Sequence, residues 1–94
     1  MNAPPRIRSA MWPRLFRRFD GRASTLQAQV RDMLAHAIHD GLIGGDTALP
    51  SSRALAAALG LSRVTVTLAL QQLVDAGIVV SRPRSGCYVA PDAQ

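Results

Sequence analysis

The chain has 94 residues, enough for one small domain with a modest core and too few to bury a sizeable substrate. Hydrophobic residues make up 48% of the sequence and aromatic residues only 4%, so the core must be built from Leu, Val, Ile and Ala. The formal net charge is +5, and all 11 basic residues are arginine. Such a chain favours polyanionic partners, nucleic acid first and an anionic membrane second, and its size weighs against an enzyme.

The sequence offers little to hold a metal or to enter a membrane. Its single cysteine, Cys87, excludes an intramolecular disulfide and a multi-cysteine zinc site. His36 and His39 lie three residues apart without a second ligand pair, and we interpret them as surface residues. No apolar run approaches the roughly 20 residues of a membrane-spanning helix, and no continuous apolar stretch typical of a secretory signal opens the chain. The expected location is cytoplasmic.

Residues 1–24 hold six of the 11 arginines and three of the six prolines. Because proline interrupts a long helix, we predict an extended or frayed basic arm. Aromatic residues and arginines are interspersed between Met11 and Phe19, and we interpret this stretch as packing against the rest of the protein, with Trp12 as the anchor. Direct contact with nucleic acid and binding to a membrane surface are the alternatives.

From Thr25 onward the apolar residues recur at helical spacing and predict three helices. The first begins at a cap on Ser24 or Thr25 and ends at Gly41, which suits a left-handed terminus. Residues 41–47 then form a turn-rich connection. The apolar stripe of this helix consists of Leu26, Val30, Met33, Leu34, Ala37 and Ile38.

The second and third predicted helices are separated by a tight turn and must cross steeply. Ser51 or Ser52 caps the second helix and Gly60 ends it. Ser62 caps the third helix, which ends at Gly77. The residues expected to face inward are Leu55, Ala56, Leu59, Val66, Ala69, Leu70, Leu73 and Val74.

After the third helix the pattern changes to that of two short strands. Residues 78–81 and 87–89 are rich in residues that favour strands. The loop between them carries Arg82 and Arg84. We interpret this segment as a hairpin with a basic tip.

The predicted fold is mainly α with a small β-hairpin: a winged helix-turn-helix, in which a three-helix bundle precedes a two-stranded wing. It occupies residues 25–90. The division leaves residues 1–24 as the basic arm and residues 91–94 as the start of a linker or tail.

Three residues fit the helix-turn-helix in particular. This motif needs a small residue where its helices approach, a residue tolerant of left-handed φ in the turn, and an aliphatic residue that locks the second helix onto the first. Ala56, Gly60 and Val66 fill these roles, at spacings of four and six residues. Joined to a capped third helix and a basic hairpin, they indicate a DNA-binding domain.

The third helix is the predicted recognition helix, because a helix fits the major groove and its first turn projects side chains onto base edges. We expect Arg63 to bind guanine O6 and N7, Val64 to pack on a thymine methyl, and Thr65 to bond a base edge or phosphate. In the alternative, Ser62 and Thr65 only cap the helix and Arg63 is a solvated charge. Leu68 lies opposite the buried stripe, where it faces DNA methyl groups or another surface.

The remaining arginines are expected to hold this helix in register. Arg53, in the first turn of the second helix, is placed for a phosphate or a neighbouring base, with pairing to Asp46 as the alternative. Arg82 and Arg84 are placed for phosphate or the minor groove, with a solubilising edge-strand charge as the alternative.

The sequences LPSSRALA at 49–56, GLSRVTV at 60–66 and LVDAG at 73–77 resemble the DNA-binding domain of GntR-type bacterial transcription regulators. The ending RPRSGCYV at 82–89 resembles the MocR subgroup in particular. The resemblance covers about residues 25–90 and implies a winged-helix regulator that binds double-stranded operator DNA, usually as a dimer.

Together, the resemblance and the expected geometry assign DNA contacts to individual residues. These are Arg53, Ser62, Arg63, Val64, Thr65, Thr67, Arg82, Arg84, Ser85 and Gly86. The sequence departs from the family where Gly45 and Asp46 replace a frequent Pro-Gly pair, which should loosen the connection after the first helix. Thr67 stands where arginine is frequent, so one phosphate or base contact is expected to be missing.

MocR regulators also carry a C-terminal domain that resembles a class I aminotransferase and binds pyridoxal phosphate. Since the chain stops at Gln94, where a linker would start, we expect a fragment or a short natural protein with no cofactor or metal of its own. Any homodimer is expected to form mainly through the missing domain. We predict sequence-specific DNA binding that regulates transcription, without enzymatic activity; the alternative is a winged-helix protein-interaction module without specific DNA binding.

Overall fold

A computed structural model describes residues 11–18 and 25–91. In these ranges the predicted bundle and hairpin are present, preceded by an additional helix. The elements are α1 (Met11–Arg18), α2 (Leu26–His39), α3 (Ser52–Leu59), α4 (Arg63–Asp75), β1 (Val79–Arg82) and β2 (Gly86–Val89). None of the described helices has the length and apolar character needed to cross a membrane.

Helix α1 corrects the prediction of an extended or frayed arm over residues 11–18. Pro13 is the third residue of this helix, where its missing N–H removes no intrahelical hydrogen bond. Trp12 and Leu15 are only 1% and 3% exposed and belong to the main hydrophobic core, with α1 lying against α2 and α3. The packing interpretation of this stretch is confirmed, and the rest of residues 1–24 lies outside the described residues.

Helix α2 begins and ends as its sequence predicts. The Thr25 hydroxyl accepts a hydrogen bond from the backbone N–H of Ala28 at 3.0 Å and so caps the first turn. Asp40 follows the last helical residue, and Gly41 then takes a left-handed φ of +80°. The buried residues of α2 form the predicted stripe, except that Leu26 is exposed: Val30, Met33, Leu34, Ala37 and Ile38.

The turn between α3 and α4 is closed by its backbone. The Ser51 hydroxyl caps α3 by accepting from the N–H of Ala54 at 3.0 Å. Gly60 ends α3 in a left-handed conformation, φ +71°, and its N–H donates to the carbonyl of Ala56. The N–H of Leu61 donates to the same carbonyl at 3.0 Å. The chain therefore reverses within two residues, which brings Ser62 to the start of α4.

One aliphatic core joins all four described helices and the hairpin. Its largest fully buried side chains are Trp12, Met33, Leu34, Ile38, Ile43, Leu55, Leu73, Val30, Val66, Val79 and Val89. Because α4 contributes its buried face to this core, the opposite face of α4 is fixed toward solvent.

The hairpin pairs β1 with β2 in antiparallel register from Val79 opposite Val89 to Arg82 opposite Gly86. Beyond the predicted two strands, the segment 47–49 lies along the other side of β2. The N–H of Val89 donates to the carbonyl of Thr47 at 2.9 Å, and the N–H of Leu49 donates to the carbonyl of Cys87 at 2.9 Å. The base of the wing is thus anchored to the chain that enters α3.

The connection after α2 is held closely, contrary to the loosening expected from Gly45 and Asp46. A Cβ on Gly45 would lie 2.6 Å from the carbonyl oxygen of Pro91, so glycine allows the two backbones to approach. The N–H of Asp46 donates to the carbonyl of Val89 at 2.9 Å, and Asp46 adopts a left-handed φ of +66°. The prediction was wrong because these contacts come from the far end of the chain and leave no local signal.

Candidate nucleic-acid interface

The start of α4 is fixed by Ser62 and Thr65. The Ser62 Oγ accepts a hydrogen bond from the Thr65 N–H at 3.2 Å and lies 2.9 Å from the Thr65 Oγ1. The Ser62 side chain therefore caps the helix, and the half-buried Thr65 hydroxyl contacts that cap. In the described part of the chain the backbone N–H groups of Arg63 and Val64 have no hydrogen-bond partner. Unpaired amides at a helix start are suited to a phosphate oxygen.

The open face of α4 carries the predicted groove-facing side chains. Arg63, Val64, Thr67 and Leu68 are all exposed. Val64 and Leu68 stand out because they remain 68% and 46% exposed although they are large and apolar. The buried face of the same helix consists of Val66, Ala69, Leu70 and Leu73. The core thus orients α4 so that its first two turns present one cation, one hydroxyl and two aliphatic groups to solvent.

Three of the arginines predicted to contact DNA are exposed and have no acidic partner among the described residues. Within residues 11–18 and 25–91, no carboxylate lies within ion-pair distance of Arg53, Arg63 or Arg84. The alternative pairing of Arg53 with Asp46 is wrong, because Asp46 lies instead 3.8 Å from Arg82. An unpaired guanidinium keeps all its donors available for an external anion.

Arg84 lies at the tip of the wing, in the three-residue loop that joins β1 to β2. It adopts a left-handed φ of +67°, uncommon for a residue with a side chain, and Gly86 follows with φ +109°. The loop is closed by the Ser85 N–H, which donates to the Arg82 carbonyl at 3.1 Å. Arg84, Ser85 and Gly86 are all exposed, so the predicted tip is open to a ligand.

Arg82 has contacts within the fold that Arg84 lacks among the described residues, although both are predicted to contact phosphate or the minor groove. Its guanidinium carbon lies 4.6 Å from the centroid of the Tyr88 ring, and its Nη2 lies 3.8 Å from the Asp46 Oδ1. A cation over an aromatic face with an anion nearby already has favourable electrostatic partners. Arg82 thus braces the wing in the described structure, and its predicted phosphate contact stays a prediction.

The wing and the two helices of the motif meet around one cleft of about 260 Å³. Its lining residues come from the start of α3, the middle of α4 and the hairpin: Ser51, Ser52, Thr67, Leu70, Gln71, Val74, Ser81, Gly86 and Cys87. The predicted site residues Thr67 and Gly86 are therefore brought to the same cleft. Cys87 is half-buried there, whereas His36 and His39 are exposed on α2.

Helix α1 carries basic residues of the segment predicted to be an extended or frayed arm. Arg14, Arg17 and Arg18 are exposed on the side of α1 away from its buried Trp12 and Leu15. The alternation of arginine with buried aromatic and aliphatic residues at helical spacing is the signal that would have indicated an amphipathic helix.

A comparison with protein families matches residues 26–89 to the family described as bacterial regulatory proteins, gntR family. Among curated proteins, the HTH-type transcriptional regulator TauR of Rhodobacter capsulatus is 43% identical over 77 residues. The match covers 79% of this chain and 16% of TauR, so the chain spans about one sixth of that relative's length.

Solved structures show the same fold. YtrA from Sulfolobus acidocaldarius, a GntR-family transcription factor, superposes with a TM-score of 0.70 at 30% identity over 77% of each chain. The structure of AraR(DBD) in complex with operator ORE1 gives a TM-score of 0.68 at 31% identity, over 72% of this chain and 83% of the other. With the family match covering the capped helices and the wing, the chain belongs to the GntR family of bacterial regulatory proteins.

Proposed function

We propose that this chain is the domain of a transcription regulator that binds operator DNA sequence-specifically, with α4 in the major groove. The observation that carries the proposal is the start of α4, where the Ser62 cap leaves Arg63 exposed, without an acidic partner in the described chain, beside two free backbone amides. A cation with a two-pronged donor set at this position suits the O6 and N7 atoms of guanine.

The remaining unpaired arginines fit phosphate contacts on either side. Arg53 lies in the first turn of α3, the helix that crosses the DNA backbone in helix-turn-helix proteins. Arg84 lies at the wing tip, where it can follow the backbone or enter the minor groove. Arg82 acts mainly through Tyr88 and Asp46, by holding the wing in place.

The comparisons support this assignment through the molecules they name. AraR(DBD), which shares this fold at 31% identity, is described as a complex with an operator. TauR is described as an HTH-type transcriptional regulator. Selection from random DNA identifies the sequence that this chain binds.

The test is a binding titration on DNA selected from a random library by this chain. Arg63→Ala should weaken binding to the selected site by about 1–3 kcal/mol and change binding to random DNA little. The matched control is Arg31→Ala, which removes the same charge from α2, where Arg31 pairs with Asp32 at 3.0 Å. Equal losses on selected and random DNA would contradict base reading by Arg63. A folded protein with no DNA affinity at low salt would favour the protein-interaction alternative.

We also propose that the chain belongs to the MocR subgroup. The supporting observations are the RPRSGCYV ending at 82–89 and the 16% of TauR that the match covers, which leaves most of that relative outside it. Pyridoxal phosphate does not fit the present residues, because the chain contains no lysine to form its Schiff base. The cofactor and the main dimer contacts would belong to a further domain, and the reading frame after Gln94 tests this directly.

A further inference from the structure

Two large aliphatic side chains remain in solvent on the helix that we place in the major groove. Val64 and Leu68 are 68% and 46% exposed and lie one turn apart on α4. Both face away from Val66 and Leu73, which are buried in the core. Such a pair on a DNA-facing helix offers an apolar surface that the described fold leaves uncovered.

We propose that Val64 and Leu68 form an apolar strip that selects thymine methyl groups next to the base read by Arg63. The inference rests on the proposed function and extends it to the second turn of α4. The 5-methyl of thymine is the apolar group that base edges present in the major groove, whereas unmodified cytosine has none at this position. Burying it against an aliphatic side chain therefore discriminates thymine from cytosine without a hydrogen bond.

The length of the apolar strip matches the spacing of neighbouring base pairs. Four helical residues rise by about 6 Å, and successive nucleotides along one strand are about 3.4 Å apart. Val64 and Leu68 can therefore reach bases about two steps apart. The strip ends at the next turn, where the Gln71 amide donates to the Asp75 carboxylate at 3.0 Å.

The charges of α4 favour DNA as the occupant of the strip over a second copy of the chain. The charged residues of α4 are Arg63 at its first position and Asp75 at its last. Phosphate attracts the first and repels the second, so the half of α4 that holds Val64 and Leu68 is the half suited to DNA. A symmetric contact through the same strip would bring two copies of Arg63 close together, which electrostatic repulsion disfavours.

The experiment replaces thymine by uracil in the DNA, because uracil lacks the 5-methyl group and keeps the same Watson–Crick edge. Sites are first selected from random DNA with the whole chain, and each thymine is then replaced in turn while fluorescence anisotropy reports Kd. We expect about three- to five-fold weaker binding at one or two thymines, the effect of one buried methyl group. The Leu68→Ala variant should bind sites with thymine and sites with uracil at the affected position equally well. The matched control is Leu42→Ala, which truncates a leucine that is 51% exposed in the turn after α2 and should leave the discrimination unchanged.

Each outcome bears on a different part of the proposal. If uracil leaves Kd unchanged at every thymine of the site, the methyl strip is wrong and the proposed DNA binding still stands. Failure to select any site overturns the proposed function and the strip with it. A third outcome is self-association in sedimentation that Leu68→Ala abolishes, together with an unchanged Kd for uracil-containing sites. The strip would then be a contact between copies of the chain, and the inference would be wrong.

Discussion

The guanidinium of Arg82 lies over the ring of Tyr88, with 4.6 Å between the guanidinium carbon and the ring centroid. The two residues are diagonal neighbours in the hairpin, since Arg82 pairs with Gly86 and Tyr88 with Val80. Asp46, which precedes the segment beside β2, lies 3.8 Å from the same guanidinium. This contact joins the wing to the chain that leads into α3, so it links two parts of the candidate interface.

We expect Arg82→Ala to lower the free energy of unfolding by about 0.5–1 kcal/mol, because it removes a partly exposed cation–π contact. Urea unfolding measures this change. Tyr88→Leu should produce a similar loss, and the double variant should lose less than the sum of the two, since both changes remove one contact. Strictly additive losses would show that the contact contributes nothing to stability.

Arg84→Ala should weaken DNA binding and leave the stability of the domain nearly unchanged. Arg84 is exposed and has no acidic partner in the described chain, so its removal should leave the unfolding free energy within about 0.5 kcal/mol. It should weaken DNA binding and reduce the slope of log K against log salt by about one, the change expected for one lost phosphate contact. An unchanged salt slope would show that Arg84 at the wing tip makes no phosphate contact.

Gly45→Ala should destabilise the domain by about 1–3 kcal/mol, because the new Cβ would meet the Pro91 carbonyl oxygen at 2.6 Å. The adjacent Gly44→Ala is the matched control, since a Cβ there meets nothing within 4 Å. Thermal unfolding of both variants measures the difference. Equal stability of the two would show that the chain end moves away from Gly45 without loss.

Trp12→Ala should lower the free energy of unfolding by about 3–5 kcal/mol, because the side chain is 1% exposed within the shared core. Since such a loss approaches the whole stability of a small domain, Trp12→Phe provides a milder variant that should still unfold in one transition. Met11→Ala, which truncates a neighbour that is 41% exposed, is the control. Unchanged stability of Trp12→Ala would mean that α1 is not part of the cooperative unit.

Features with local causes could be predicted from the sequence. Thr25, Ser51 and Ser62 accept the capping hydrogen bonds expected of hydroxyl residues before apolar periodic segments. Gly41 and Gly60 adopt the left-handed conformations expected where helices end. The capped start of α4 and its buried stripe follow from these local rules.

Features with non-local causes could not be predicted. The pairing of residues 47–49 with β2 leaves no local signal, because β2 lies about 40 residues away in the sequence. The different roles of Arg82 and Arg84 depend on Tyr88 and Asp46, which neither adjoins in sequence. Helix α1 differs from the predicted arm for another reason: proline interrupts a helix interior, but Pro13 lies within the first turn of α1.

The two charged residues of α4 oppose the dipole of the helix that carries them. A helix favours negative charge at its start and positive charge at its end, yet α4 begins with Arg63 and ends with Asp75. In the free domain this arrangement is unfavourable, by about 0.3–1 kcal/mol at each end. A phosphate beside the first turn would balance both Arg63 and the helix start, so bound DNA should raise the melting temperature most at low salt, where the opposing charges are least screened.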